Sequence, residues 1–206
     1  MGDAQLVFGG DVAWGPIPVE TVDRIRELDA LCLRGNADRD LGDEWIESQL
    51  GSERLAWLTS LPEQIELDVE GLGRVLFCHG SPRSDEEMLL RTASEERLTE
   101  ILAGVTADVV VCGHTHMQFN RAVGDKRVVN AGSVGLPYGA TGAHWLELGP
   151  GIQHRRTAYD PAPLRASQWP RAAEIVSVVE SPPSEEQAIA EFEALIAAGR
   201  DATLIQ

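Results

Sequence analysis

The stretch Asp108-Val109-Val110-Val111-Cys112-Gly113-His114-Thr115-His116 decides the fold. A short apolar run rich in β-branched residues and cut off by glycine reads as a buried strand. Two histidines stand directly past it, and a broken strand end can aim both imidazoles at one point.

Moving outward, the same arrangement recurs three times. Residues 5–9 form an apolar run followed by Gly10-Asp11, and residues 30–34 run into Gly35-Asn36-Ala37-Asp38. Residues 74–78 end at His79-Gly80. In α/β sheets, ligands gather outside the carboxyl ends of strands, so four such ends converge on one site if the strands are neighbours. The set Asp11, Asn36, His79, His114 and His116 offers two oxygens and three nitrogens, which suits Mn²⁺, Fe²⁺, Ni²⁺ or Zn²⁺. Each cluster by itself has a plainer reading. His79 could be a hydrogen-bonded structural histidine, and Asp11 and Asn36 could serve turns. The conjunction favours metal chemistry, since three of the five histidines fall in these positions. His144 and His154 sit in ordinary strand contexts and are given no role.

Between these ends, helices and strands alternate. Pro18 opens an amphipathic helix over 19–29, with Val19, Val22, Ile25 and Leu28 on one face. Residues 35–40 read as a loop, followed by two short helices over 44–50 and 53–60, the second capped by Ser52. Residues 64–69 alternate and pair with 74–78 as a hairpin. Thr92-x-x-Glu95 fits a capping box for a helix reaching about residue 103. Residues 118–123 and 126–130 form a hairpin across Gly124-Asp125, and 143–148 pairs with 153–159. The expected class is α/β, a sandwich of two mixed sheets flanked by helices. Residues 1–160 make the core. Residues 161–206 change character, with a final helix opened by Ser184-x-x-Gln187 and Ile189, Phe192 and Ile196 on one face. That stripe needs a partner, so the tail is expected to be a helical extension packed on the core.

The bulk numbers bound the function. The chain has 206 residues, 43% of them hydrophobic, enough for one core. It carries 17 Lys+Arg against 33 Asp+Glu, a formal charge of −16. Such a surface repels phosphate backbones, so no nucleic-acid face is expected, although bound cations can invert the local field for a small anionic substrate. No run approaches the ~18 apolar residues of a membrane span, and Met1-Gly2-Asp3-Ala4 lacks signal-peptide features. Cys32, Cys78 and Cys112 each end or interrupt apolar runs, as buried thiols of a reducing cytoplasm do.

Gly10-Asp11, Gly35-Asn36, His79-Gly80 and Gly113-His114-Thr115-His116, in this order, resemble the blocks of calcineurin-like metallophosphoesterases, closest to a small bacterial branch. The resemblance spans residues 5–159, and Val129-Asn130-Ala131-Gly132-Ser133 looks like that branch's turn after the Gly-His-x-His block. It implies a metallophosphoesterase-type α/β/β/α sandwich and a two-metal hydrolase of small phosphoesters acting through a metal-bridging hydroxide. Asp11 would bridge the metals, Asn36, His79 and His114 would complete the second, and His116 would contribute to the first.

Two departures matter. The family's opening Asp-x-His block is absent, and the ten residues ahead of Asp11 are too few for a βαβ unit of about 30. The reading therefore expects a fold missing its first strand and helix, from a start set too late rather than a natural remnant. One metal, not two, is then expected in this chain, with impaired activity. The second departure is Ala37, where many members carry a histidine that protonates the leaving group. This points away from phosphomonoesters with poor leaving groups and toward a phosphodiesterase. The competing reading is a non-catalytic metal- or phosphate-binding scaffold. The physiological substrate and the oligomeric state are not fixed by the sequence.

Overall fold

The structure, a computed structural model, describes residues 4–199; the expected leaderless first three residues and the tail beyond residue 199 lie outside the described residues. Its centre is a five-stranded mixed sheet in the order β3-β4-β5-β7-β6. These strands are β3 (Gln64–Val69), β4 (Gly73–Cys78), β5 (Val109–Cys112), β6 (Phe119–Val123) and β7 (Lys126–Asn130). β4, β5 and β7 run parallel, and β3 and β6 are added antiparallel at the flanks through their hairpins. The burial follows the sequence. Val109–Cys112 is buried throughout, as a central parallel strand requires, whereas β3 alternates between exposed and half-buried residues.

Period-two alternation sends the strands' side chains to two cores. On one face, Leu76, Cys78, Val110, Cys112 and Val128 meet Leu98 and Ile101 of α4 (Glu95–Ile101). On the other, Val75, Phe77, Val109, Val111 and Val129 meet Leu33, with Val7, Leu146, Leu148 and Ile152 beside them. This second layer is made of two ladders. One is parallel, β1 (Val7–Phe8) with β2 (Leu31–Cys32); the other is antiparallel, β8 (Ala143–Leu148) with β9 (Ile152–Thr157). Beyond the first ladder, Phe8 and Cys32 pack on α1 (Pro18–Glu27) and α3 (Glu44–Ser60), giving helix, sheet, ladder and helix in succession.

Locally, the loop over 35–40 and the helix caps depart from the sequence reading, while the pair of helices over 44–60 agrees with it. The expected loop over 35–40 contains a helix, α2 (Asn36–Arg39), whose Asn36, Ala37 and Asp38 are buried. Four residues without an apolar stripe give no helical periodicity to detect. The expected pair of helices over 44–60 is present: the run α3 is broken into two at Gly51, whose φ of 69° leaves the helical region. Its start is capped by Asp43, which accepts from the Trp45 and Ile46 amides. The cap of α4 is Ser94, accepting from the Arg97 amide, while the Thr92 hydroxyl donates to Glu193.

Beyond residue 160 the described chain carries three elements. A 3₁₀ turn (Ala162–Ala166) and α5 (Ala172–Glu180) precede α6 (Glu185–Ala197), which has the reciprocal Ser184–Gln187 cap. Trp169, Ile175 and Val179 join the α1–α3 core, and Ile189 and Phe192 join Met88, Leu90, Met117 and Tyr138. Because Phe192 is 2% exposed, Phe192→Ala is expected to cost about 3–5 kcal/mol in urea unfolding of the chain. A cost below ~1 kcal/mol, the range of surface substitutions, would mean that the extension is not part of the folded core.

The three cysteines are free and buried, and burial pushes their thiols well above the ordinary range. No described helix is long and apolar enough to cross a membrane.

Candidate metal centre

The four strand ends do meet. β1 and β2 are neighbours in one ladder and β4 and β5 in the sheet behind it, so Asp11, Asn36, His79 and His114 follow strands that end side by side. The loops after β1 and β2 touch backbone to backbone. A Cβ on Gly35 would lie 2.0 Å from Asp11 Oδ1, and one on Gly10 would lie 2.5 Å from the Gly35 nitrogen and 2.8 Å from His79 Nδ1. Glycine at both positions is what lets Asp11 reach the histidines.

Backbone strain concentrates here. Asp11, His114 and His116 have φ of 56°, 57° and 60°, and they are three of the four described non-glycine residues in the left-handed region. Such conformations cost on the order of 1–3 kcal/mol each and persist where the surroundings over-determine them. For the histidine turn the fixing group is Asn130, fully buried at the end of β7. Its Nδ2 donates to the Gly113 carbonyl at 2.6 Å and to Thr115 Oγ1 at 3.0 Å, and its Oδ1 accepts from the Gly132 amide at 2.8 Å.

Four acceptor atoms converge. His79 Nε2 lies 3.0 Å from Asp11 Oδ2, 3.1 Å from Asn36 Oδ1 and 3.2 Å from His114 Nδ1. The far nitrogens explain why this fits a cation. His79 Nδ1 is 2.7 Å from the Gly9 carbonyl and His114 Nε2 is 3.1 Å from the Glu86 carbonyl. A carbonyl accepts, so each of these nitrogens carries the proton, and in the neutral rings His79 Nε2 and His114 Nδ1 present lone pairs. Two lone pairs, a carboxylate oxygen and an amide oxygen pointing at one small volume repel unless a cation or a proton sits among them. Such carbonyl-oriented imidazoles are the usual arrangement around a bound metal. Asp11, His79 and His114 are the described group whose ligand atoms lie within 4.8 Å of one another.

The titration behaviour agrees. Burial lowers His79, but the Asp11 carboxylate and the Gly9 carbonyl outweigh it and push the imidazole up to about 9. Burial and the neighbouring His79 push His114 down to about 3. One proton is thus held at the cluster where a divalent ion could replace it.

Asp11 divides its carboxylate. Oδ1 accepts the Ala37 amide of α2 at 2.8 Å, leaving Oδ2 to face the histidines. Asp38, which the sequence places in the block without a partner for it, is the organiser of this corner. It is 2% exposed, and its two oxygens accept from the amides of Asp11 (2.6 Å), Val12 (2.9 Å), Ala13 (3.3 Å) and Gly35 (3.0 Å). Burial and the Asp11 charge push it up to about 6 against the pull of those amides. No sequence signal assigns these bonds, nor the Gly9 and Glu86 carbonyls, because backbone partners carry no residue signature.

His116 stands apart from the converging atoms. Its ring stacks on Tyr138 with centroids 5.9 Å apart, and burial pushes it down to about 4. His144 is also buried, while His154 Nε2 contacts the Asn130 carbonyl at 3.1 Å. Neither belongs to the donor cluster.

Comparison with known proteins places this geometry. The sequence model of the calcineurin-like phosphoesterase superfamily domain matches residues 3–147. The chain is 29% identical over 162 residues to an uncharacterized protein of Methanocaldococcus jannaschii, covering 63% of this chain and 64% of that protein's length, so the match spans less than two thirds of the relative. Its fold is similar to that of a hypothetical protein from Pyrococcus horikoshii OT3, with a TM-score of 0.70 and 18% identity over 84% of this chain and 83% of that one. It is also similar to that of a metallophosphoesterase from Sphaerobacter thermophilus, with a TM-score of 0.67 and 21% identity over 87% and 90%.

Proposed function

The chain belongs to the calcineurin-like phosphoesterase superfamily, and on that premise we propose that it is a metal-dependent hydrolase of small phosphoesters with a preference for diesters. The observation that carries the proposal is the convergence of Asp11 Oδ2, Asn36 Oδ1, His79 Nε2 and His114 Nδ1, with both imidazoles turned inward by carbonyls behind them. A divalent ion held there supplies Lewis-acid polarisation of a phosphoryl oxygen. The chain's own contribution is the fixed, water-poor frame: Asp11 keeps one oxygen tied to Ala37 so that the other cannot rotate away, and Gly9 and Glu86 hold the histidine tautomers. The set is borderline in softness, and manganese, iron, nickel and zinc are all within its reach.

For a second cation, Asp11 and His116 are the donors that this sequence offers, and no Asp-x-His occurs in it. One ion per chain and weak turnover follow. Hydrolysis of an aryl phosphodiester with Mn²⁺, abolished by chelator and restored by metal, tests the activity. The absence of both turnover and metal uptake would overturn the reading. Metal uptake with no turnover would favour a non-catalytic metal- or phosphate-binding scaffold. That His116 is not in the group whose ligand atoms lie within 4.8 Å of one another is the observation on that side.

Ala37 sets a further expectation. It is buried beside Asp11 and carries no proton to give. General-acid assistance is worth roughly 10²–10⁴-fold and matters most for poor leaving groups. kcat/KM should therefore fall steeply across a series of diesters as the leaving group becomes more basic. A flat dependence would mean that another group protonates it.

A further inference from the structure

Arg39 is the residue at which α2 leaves the core, three positions after Asn36 and one after Asp38. Its guanidinium forks across to the loop that follows His79. Nε lies 3.0 Å and Nη2 3.4 Å from the two Asp85 oxygens, and Nη2 lies 2.6 Å from Glu86 Oε1. The backbone carbonyl of the same Glu86 is the group 3.1 Å from His114 Nε2. We infer that Arg39 is a positioning residue of the metal centre: by gripping Asp85 and Glu86 it seats the Glu86 carbonyl against His114 and so decides which imidazole nitrogen faces the donor cluster. The inference rests on the metal-centre reading above.

The charge arrangement gives the grip its effect. Asp85, Glu86 and Glu87 are three successive carboxylates in a chain of net charge −16. Glu87 is engaged by Ser81 Oγ at 2.6 Å and by Arg83. Asp85 and Glu86 meet Arg39, and without it this part of the loop loses its ion-pair tie to α2. The loop keeps its own shape through other bonds: Ser81 N to the Ser84 carbonyl at 2.8 Å, and Glu86 N to Ser84 Oγ at 3.1 Å. Its placement therefore changes without its unfolding. The Arg39 side chain is 41% exposed, so the pairing adds little to global stability. A ligand's orientation is more sensitive, because losing an outer partner of a metal-bound histidine typically weakens metal binding about 10–100-fold.

The test uses ¹⁵N-labelled full chain and two readouts. In metal-free wild type, long-range ¹H–¹⁵N spectra are expected to show His114 protonated at Nε2. In Arg39→Ala that signature should become a mixture of tautomers, and Zn²⁺ affinity by calorimetry should fall about 10–100-fold, with the urea midpoint unchanged. Arg39→Lys, which keeps the charge without the fork, should fall between them. Arg91→Ala, which removes an exposed ion pair to Glu185, serves as the matched control. An unchanged tautomer and affinity in Arg39→Ala would overturn the inference, as would an equal loss in Arg91→Ala. If wild type takes up no metal while Arg39→Ala still shifts the tautomer, the metal reading fails and the positioning role stands.

Discussion

Asp11→Ala is expected to abolish tight metal binding and, with it, phosphoester hydrolysis. Wild type should take up close to one divalent ion per chain after chelator treatment and reloading. Four-donor protein sites bind Zn²⁺ with about 10–16 kcal/mol, so one donor accounts for roughly 3 kcal/mol, on the order of 10²-fold in affinity. Asp11 should exceed that share, because its carboxylate supplies the formal negative charge among the four donors while Asn36, His79 and His114 are neutral ligands. A proton also has to leave. His79 is pushed up to about 9, so the ion must displace that proton at any lower pH. Affinity should therefore rise about tenfold per pH unit from 7 to 9 and level off above, with release of about one proton at pH 7. Calorimetry in buffers of differing ionisation enthalpy measures both. A stoichiometry near two, none at all, or a pH-independent affinity over that range would each contradict the site as assigned.

The second large effect is structural. Asp38→Ala removes the acceptor for four backbone amides at once, those of Asp11, Val12, Ala13 and Gly35. A buried donor left unpaired costs about 1–3 kcal/mol. Ala13 and Gly35 are buried, whereas Asp11 and Val12 are half-exposed and can turn to water, so a net loss of about 3–5 kcal/mol is expected in urea unfolding. Against a typical stability of about 5–15 kcal/mol, that takes a large share. Asp38→Asn keeps one acceptor oxygen and should recover part of it. Because the amides released belong to the loops that aim Asp11 and Asn36, metal affinity should fall in both variants. A stability loss under ~1 kcal/mol in Asp38→Ala would show that the corner is held by other contacts.

What was readable in advance follows from how far each interaction reaches along the chain. The strands Val109–Cys112 and Gly73–Cys78 announce themselves because burial on both faces demands unbroken apolar residues. The capping box of Ser184 and Gln187 is equally local. The converging residues Asp11, Asn36, His79 and His114 were visible because a strand end with glycine and a donor side chain repeats four times. By itself, then, the sequence determined the α/β class, the cap of the last helix and the strand ends that carry Asp11, Asn36, His79 and His114.

The tertiary structure decided the rest. It paired β1 with β2 in parallel over the central sheet, since partners of that kind depend on contacts between residues distant in the chain. It made Asp38 the fastener of two loops and gave the Gly9 and Glu86 carbonyls the choice of tautomer, bonds that span up to 70 positions and use atoms every residue has. It also stacked His116 against Tyr138. A sequence can name the side chains able to bind a metal; which of them point at one another is settled by packing, because only the folded backbone fixes their directions.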